Sequence, residues 1–378
     1  MLRPAIGIVL FAALSGAAAA QEPLAPETLS VKATIDPGPN VYVYQESLDG
    51  PGTIAVFAAD TLAMKGTMTS GSFGTMFIDR SGETAYAQST FLKRYAYGDM
   101  ESVLQIYDVA TLTPTSEVIL PPKAQMALSY AALLQKTADG RFMLVQNATP
   151  ASSITVVDLA SGTVTLEIPT PGCWGIYPWG EGAGFSTVCG DGSFMSYALA
   201  EDGASAADTT TADIFDPDAD PIFATAARDE DGLVFVSFKG DVLRVADGAA
   251  GAKLTDRFSM VEGVEGGWAP SGYNLVAYSP ELKRLFVTMH SGAYEGSHKN
   301  PSEELWAVDL AGRALGGRAK LEMVGSLTVG PGPAPALFAL ALDARLMRFD
   351  IDASSGLTLT PSGEVPLVGY PFLVAATP

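Results

Sequence analysis

Short runs of β-branched and aromatic residues, each cut off by Gly, Pro, Asp or Asn, fill the chain from Asn40 to its end. Nowhere do apolar residues keep a helical three- and four-residue spacing over a long stretch, so the pattern predicts a nearly all-β protein. One signature recurs: a strand runs to an acidic residue, a turn of small residues follows, and a second strand leaves. It reads Ile54-Ala-Val-Phe-Ala-Ala-Asp60, Val103-Leu-Gln-Ile-Tyr-Asp108, Ile154-Thr-Val-Val-Asp158 and, degenerately, Phe194-Met-Ser-Tyr-Ala-Leu-Ala-Glu201. It continues as Val242-Leu-Arg-Val-Ala-Asp247, Leu305-Trp-Ala-Val-Asp309 and Leu346-Met-Arg-Phe-Asp350.

A period of roughly 50 residues with room for four short strands per unit is the mark of a β-propeller blade. Seven signatures therefore predict seven four-stranded antiparallel blades. The acidic residue falls where a blade's third strand turns into its fourth, and Asx-type hydrogen bonding to the local backbone accounts for it without a ligand. In the third unit two more strands precede the signature: Tyr130 to Gln135 leads through Ala138-Asp139-Gly140 into Phe142 to Gln146. The first unit lacks an innermost strand, and Tyr370-Pro-Phe-Leu-Val374 is left over after the last signature. Pairing that segment with Asn40 to Gln45 closes the ring and removes free sheet edges.

The cysteines give a separate test of this layout. Cys173 would begin the first strand of the fourth blade and Cys189 would end its second, with Glu181, Gly182 and Gly184 at the midpoint. A hairpin turning there sets the two opposite each other, at a Cα separation of roughly 4.5 to 5.5 Å, within reach of a disulfide. Two unpaired buried thiols are the alternative.

The N-terminus decides the compartment. Arg3, an apolar run from Ala5 to Leu14 and the small residues Ser15 to Ala20 form a secretory signal pattern. A membrane anchor is the weaker alternative, because the run is well short of the roughly 20 residues that span a bilayer. The expected organisation is residues 1–20 as signal peptide, 21–35 as an N-terminal extension and 36–378 as the propeller, exported to the periplasm without membrane insertion. An oxidising compartment favours the disulfide. The formal charge of −20 argues against nucleic acid, whose phosphates need clustered Lys and Arg.

Self-sufficient catalysis is hard to find in the chain. Only two histidines are present, His290 and His298, eight apart in one stretch with no nucleophile elbow nearby. Zinc spacings, a phosphate loop and a c-type haem motif are absent from the sequence. The acidic stretch Asp213 to Asp220 lacks the spaced ligands of a calcium loop and reads as a solvated turn.

Several segments stand out: Ser89-Thr-Phe-Leu-Lys-Arg94 running to Asp108-Val-Ala-Thr-Leu-Thr-Pro114, Pro171-Gly-Cys-Trp-Gly-Ile-Tyr-Pro178 with Cys189-Gly-Asp-Gly-Ser193, Gly267-Trp-Ala-Pro-Ser-Gly-Tyr273 continuing to Val276-Ala-Tyr278, and Ser297-His-Lys-Asn-Pro301. In their order and spacing they resemble one family, the heavy or large subunit of methylamine and aromatic amine dehydrogenases. The resemblance implies a seven-bladed propeller with no cofactor and no metal of its own. It implies a light subunit that carries tryptophan tryptophylquinone, an assembly of two heavy and two light chains, oxidation of primary amines to aldehydes, and a blue copper protein or cytochrome as electron acceptor. The family lines its substrate channel with a phenylalanine in the loop after the first Val-Tyr-Val strand. Here Val41-Tyr-Val43 is followed by Tyr44 to Gly52, which contains no phenylalanine. Leu48 is the nearest equivalent, and the substitution opens the choice of amine. Phe73 is expected to line the channel beside it.

In a propeller the links from second to third strands share one face with the starts of the first strands. Three of those links are unusual: Tyr44 to Gly52, Phe91 to Asp99 and His290 to Glu304. They are expected to form the subunit interface, with Tyr44, Arg94, Tyr97, His290 and His298 in contact. Alternatives are a stand-alone lactonase-like propeller hydrolase, which needs metal ligands converging on the tunnel, and a non-enzymatic periplasmic scaffold. A quinohaem amine dehydrogenase subunit is a variant of the leading reading.

Overall fold

The computed structural model describes residues 32–47, 50–94, 97–123 and 128–378. Thr34–Pro378 forms one compact unit. In it, seven antiparallel sheets follow one another around an axis. Blade 1 takes its innermost strand, Tyr370–Thr377, from the C-terminal end and its other three, Asn40–Glu46, Thr53–Ala58 and Met64–Thr69, from the start. The closing register sets Tyr44 opposite Leu373 and Tyr42 opposite Ala375, as the leftover C-terminal segment predicts.

The near-continuous apolar character of the second and third strands follows from burial on both faces. In Asn40–Glu46 the odd residues Val41 and Val43 pack against Phe338 and Leu340 of blade 7. The even residues Tyr42 and Tyr44 pack against Met76 and Ala87 of blade 2. Side chains alternate across a strand, so each blade feeds two cores, and seven apolar clusters lie in the seven clefts between neighbouring blades. Outer strands face water on one side and alternate accordingly, as in Ala314–Lys320.

The turn acids behave as expected in three of the seven units. Asp108 accepts from the Thr111 amide at 2.7 Å, Asp158 from the Ala160 amide at 2.8 Å and Asp309 from the Gly312 amide at 2.8 Å. Two of the others differ as follows. Asp247 leaves its turn to bind Arg228 at 2.6 Å. In blade 7 the third strand, Arg345–Asp352, runs past Asp350, so Asp352 caps the turn through Ser354 instead. The acidic turn between blades 4 and 5 is more than solvated surface, since Asp220 is buried and accepts from the Lys239 amide at 2.9 Å.

Cys173 and Cys189 begin and end the first hairpin of blade 4, directly opposite in register, and form a disulfide. Their Cα atoms are 3.9 Å apart, closer than the spacing expected of a regular strand pair. Among the described residues no helix is long and apolar enough to cross a membrane.

Candidate partner-binding face

The links from second to third strands, together with the connections between blades, make up one face of the ring, called here the loop face. The hairpins joining first to second and third to fourth strands make the opposite face. Near the loop face a buried side chain crosses the axis. The innermost strand of blade 6 is split into Ala269–Pro270 and Val276–Ser279, and the break contains Asn274. Gly272 sits in the break at φ +130°, and a Cβ there would lie 2.9 Å from the Gly325 carbonyl, so only glycine fits. Asn274 accepts from the Ala131 amide at 3.0 Å. It donates to the carbonyls of Ser129 at 3.2 Å and Phe372 at 2.9 Å. It thereby ties blades 6 and 1 to the chain entering blade 3. That capture explains a departure from the expected strand at Tyr130 to Gln135. Residues Ala131–Leu133 coil into a 3-10 turn, and only Leu134–Lys136 remains extended.

On the opposite face the tunnel widens into a cavity of about 730 Å³ lined by Asp79, Lys136, Trp179, Arg228 and Tyr278 among others. Its charges are largely satisfied internally: Lys136 pairs with Asp79, Arg228 with Asp247 and Tyr278 donates to Glu230 at 2.9 Å. Among the described residues no three His, Cys, Asp or Glu side chains converge as a metal site.

The expected site residues separate into two groups. Arg94 and Tyr97 are exposed at the tip of the blade 2 link, with the guanidinium 5.5 Å from the ring centroid. Phe73 is half-buried at the start of the innermost strand of blade 2, in the left-handed region at φ 51°. Leu48 lies outside the described residues. Tyr44 and His290, expected at a protein interface, are interior. Tyr44 belongs to the strand rather than the loop. It is fully buried, its hydroxyl donates to Glu46, and burial with the nearby Glu46 charge raises its pKa. His290 ends Arg284–His290 and is 1% exposed, with Nδ1 2.9 Å from the Ser291 carbonyl. His298 is half-buried, stacked on Phe238 at 4.4 Å, and burial followed by the Lys299 charge lowers its pKa. The link that starts after His290 is pinned by Gly292 and Ala293 amides donating to the carbonyls of Gly266 and Gly267.

What the sequence pattern did not disclose is where exposed apolar surface collects. Of the ten large apolar side chains that stay exposed among the described residues, nine lie at the loop face. Tyr294 comes from blade 6, Met323 and Leu342 from blade 7, Val368 and Tyr370 from the entry to and start of the closing strand of blade 1, and Phe91, Tyr97, Met100 and Ile119 from blade 2. The tenth, Met64, is at the opposite face. These four blades are consecutive in the ring, so the exposed apolar residues form an arc. The signal available in sequence was apolar residues set among Gly and Pro, as in Leu367-Val-Gly-Tyr-Pro371.

Another residue missed is Glu46, buried at the end of its strand. Its carboxylate accepts from the backbone amides of Ser47, Phe73 and Gly74, each at 3.1 Å, and from the Tyr44 hydroxyl at 3.4 Å. Burial raises its pKa, and the amide hydrogen bonds pull against that rise.

Residues 40–369 match the family described as methylamine dehydrogenase heavy chain. The methylamine dehydrogenase heavy chain of Methylorubrum extorquens is 26% identical over 77% of this chain and 72% of its own length. That of Methylophilus methylotrophus is 22% identical over 83% and 78%, and that of Paracoccus versutus 24% over 76% and 68%. Among solved structures, a provisionally assigned 6-phosphogluconolactonase from Bacteroides fragilis superposes with a TM-score of 0.62 at 12% identity, covering 93% of this chain and all of the other. At that identity the likeness is one of fold.

Proposed function

The chain belongs to the methylamine dehydrogenase heavy chain family, and from that premise we propose that it is the non-catalytic large subunit of a periplasmic amine dehydrogenase. Its loop face holds a light subunit, and the substrate channel opens where the two chains meet. The observation that carries this reading is the apolar arc over blades 6, 7, 1 and 2. Monomeric proteins rarely leave so many large apolar side chains together in water, and an obligate subunit interface of this type buries on the order of 2,000 Å² or more. The arc gives such a partner a seat on one half of the ring, beside Arg94 and Phe73.

The redox group belongs to the light chain, where tryptophan tryptophylquinone would take up the two electrons of a primary amine and pass them to a blue copper protein or cytochrome. The tryptophans of this chain support that division. Its one close pair among the described residues, Trp268 and Trp306, has ring centroids 5.6 Å apart. The Arg318 guanidinium lies 4.5 Å from one ring centroid and 4.9 Å from the other. Trp306 is fully buried and donates to Glu304 at 2.8 Å, so no substrate reaches it. This chain contributes binding surface, channel wall and exclusion of water. The signal pattern at residues 1–20 and the disulfide support periplasmic residence.

Purification from the native periplasm tests the reading. The expected result is co-elution with a small quinone-bearing chain and dye-linked oxidation of a primary amine, neither seen with this chain alone. Recovery as a lone protein that neither binds a second chain nor supports amine oxidation would overturn it.

A further inference from the structure

The left-handed backbone of Phe73 needs an account. A bulky residue at φ 51° is an outlier that persists only where its surroundings enforce it. The enforcement here can be read atom by atom. The pairing of the first two strands of blade 2 slips between Ser72 and Thr75, so Phe73 and Gly74 form a bulge, a device that re-aims side chains. Both bulge amides donate to the one carboxylate of Glu46, Phe73 to Oε1 and Gly74 to Oε2. The Ser72 hydroxyl donates to the Gly50 carbonyl at 3.1 Å. Gly74 itself has no room for a side chain, since a Cβ there would overlap the Tyr44 hydroxyl and the Gln88 carbonyl.

Glu46 is an expensive residue to bury for a purely structural hairpin. It is 7% exposed, and a buried charge is tolerated only when its hydrogen bonds are made. Its partners come from its own strand end and from the neighbouring blade, so it couples the blade 1 link to the start of blade 2. That coupling bears on a residue that remains half exposed at the loop face.

We propose that Glu46 is a positioning residue for Phe73: its carboxylate fixes the bulge that turns the Phe73 ring to the loop face, and the ring so placed sets which amines pass by size. This rests on the loop face being the substrate-entry side of an amine dehydrogenase. Glu46 does not touch substrate. It acts only through the conformation of Phe73, which makes the two residues epistatic.

The test has two arms. In the isolated chain, Glu46→Gln replaces one acceptor oxygen by an amide donor, and amide hydrogen exchange of the peptide spanning Phe73 and Gly74 should quicken by tenfold or more, while Ala85 to Ala87 in the adjacent strand stay protected. In the assembled complex, kcat/KM is measured for methylamine and for 2-phenylethylamine. Glu46→Gln should change their ratio at least threefold, through KM more than kcat, in the same direction as Phe73→Gly. The glycine variant suits the left-handed backbone and should fold. In a Phe73→Gly background, Glu46→Gln should then add nothing to the ratio. Unchanged exchange rejects the clamp, and an equal effect of Glu46→Gln with and without the Phe73 ring rejects the positioning role. A wild-type chain that forms no amine-oxidising complex rejects the parent reading, and does so before any variant is made.

Discussion

Replacing Asn274 with alanine removes the side chain that ties three segments together across the axis. Two backbone groups lose this partner, the Ala131 amide and the Ser129 carbonyl, while the Phe372 carbonyl keeps the Ser326 hydroxyl at 2.6 Å. Each buried polar group left unmade costs roughly 1 to 3 kcal/mol. Asn274 also borders the tunnel cavity, so water can reach part of the vacated site, and the low end of that range applies, about 2 kcal/mol in all. At roughly 2 cal/mol/K per residue over a unit of this size, the unfolding entropy is about 0.7 kcal/mol/K, so Tm should fall by about 3 °C. Differential scanning calorimetry reads this directly. The Ala131 amide should lose exchange protection in the same variant, while the disulfide hairpin of blade 4 keeps its own. A Tm within 1 °C of wild type, with Ala131 still protected, would refute the claim that Asn274 carries the cross-axis contacts.

Further outcomes follow from other features. Joint Val368→Glu and Tyr370→Glu substitution should weaken light-subunit capture at least tenfold by surface plasmon resonance, whereas Lys239→Ser, on the loop face of blade 5, should leave it unchanged; equal effects would disperse the arc. Joint Cys173→Ser and Cys189→Ser substitution opens a cross-link spanning 16 residues and should cost about 3 kcal/mol, seen as a lower Tm. A non-reduced digest with both cysteines alkylated would deny the bond altogether. Acid should also destabilise the chain. Hydrogen bonds from Thr111, Ser161, Ser193 and Ser354 hold Asp108, Asp158, Asp191 and Asp352 below the ordinary aspartate value of 3.8. The stability they lend is present above that value and lost as pH falls through the depressed ones, so Tm should drop between pH 4 and pH 2. A Tm flat over that range would contradict it.

The blade count, the ring closure and the disulfide were legible because each depends on local periodicity and turn chemistry. The site was legible only in part. Arg94 and Tyr97 could be placed because a charged, aromatic link between strands has nowhere to go but outward. Tyr44 and His290 could not, because in a propeller both faces of the inner strands are covered, and a polar tip on a strand end gives no sign of whether water reaches it. Asn274 and Glu46 were invisible for a different reason: their roles come from partners up to 145 and 28 residues away, which no window of sequence contains. The bulge at Phe73 likewise results from a register slip between two strands, a property of the pair rather than of either strand.

The seam that closes the ring joins Tyr42 to Thr377 across 335 residues. The entropy of shutting a loop grows only logarithmically with its length, about 0.6 kcal/mol per doubling, so such a seam is little dearer at equilibrium than one between adjacent blades. Its kinetics are another matter, because non-local strand pairing is slow. Blade 1 is first to leave the ribosome and last to be completed. Until the final strand arrives, Asn40–Glu46 presents a bare, apolar edge able to recruit any extended peptide. Yield of this chain should therefore depend on how long that edge waits, and a chaperone that shields extended segments should raise it more than any gain in the stability of the finished ring.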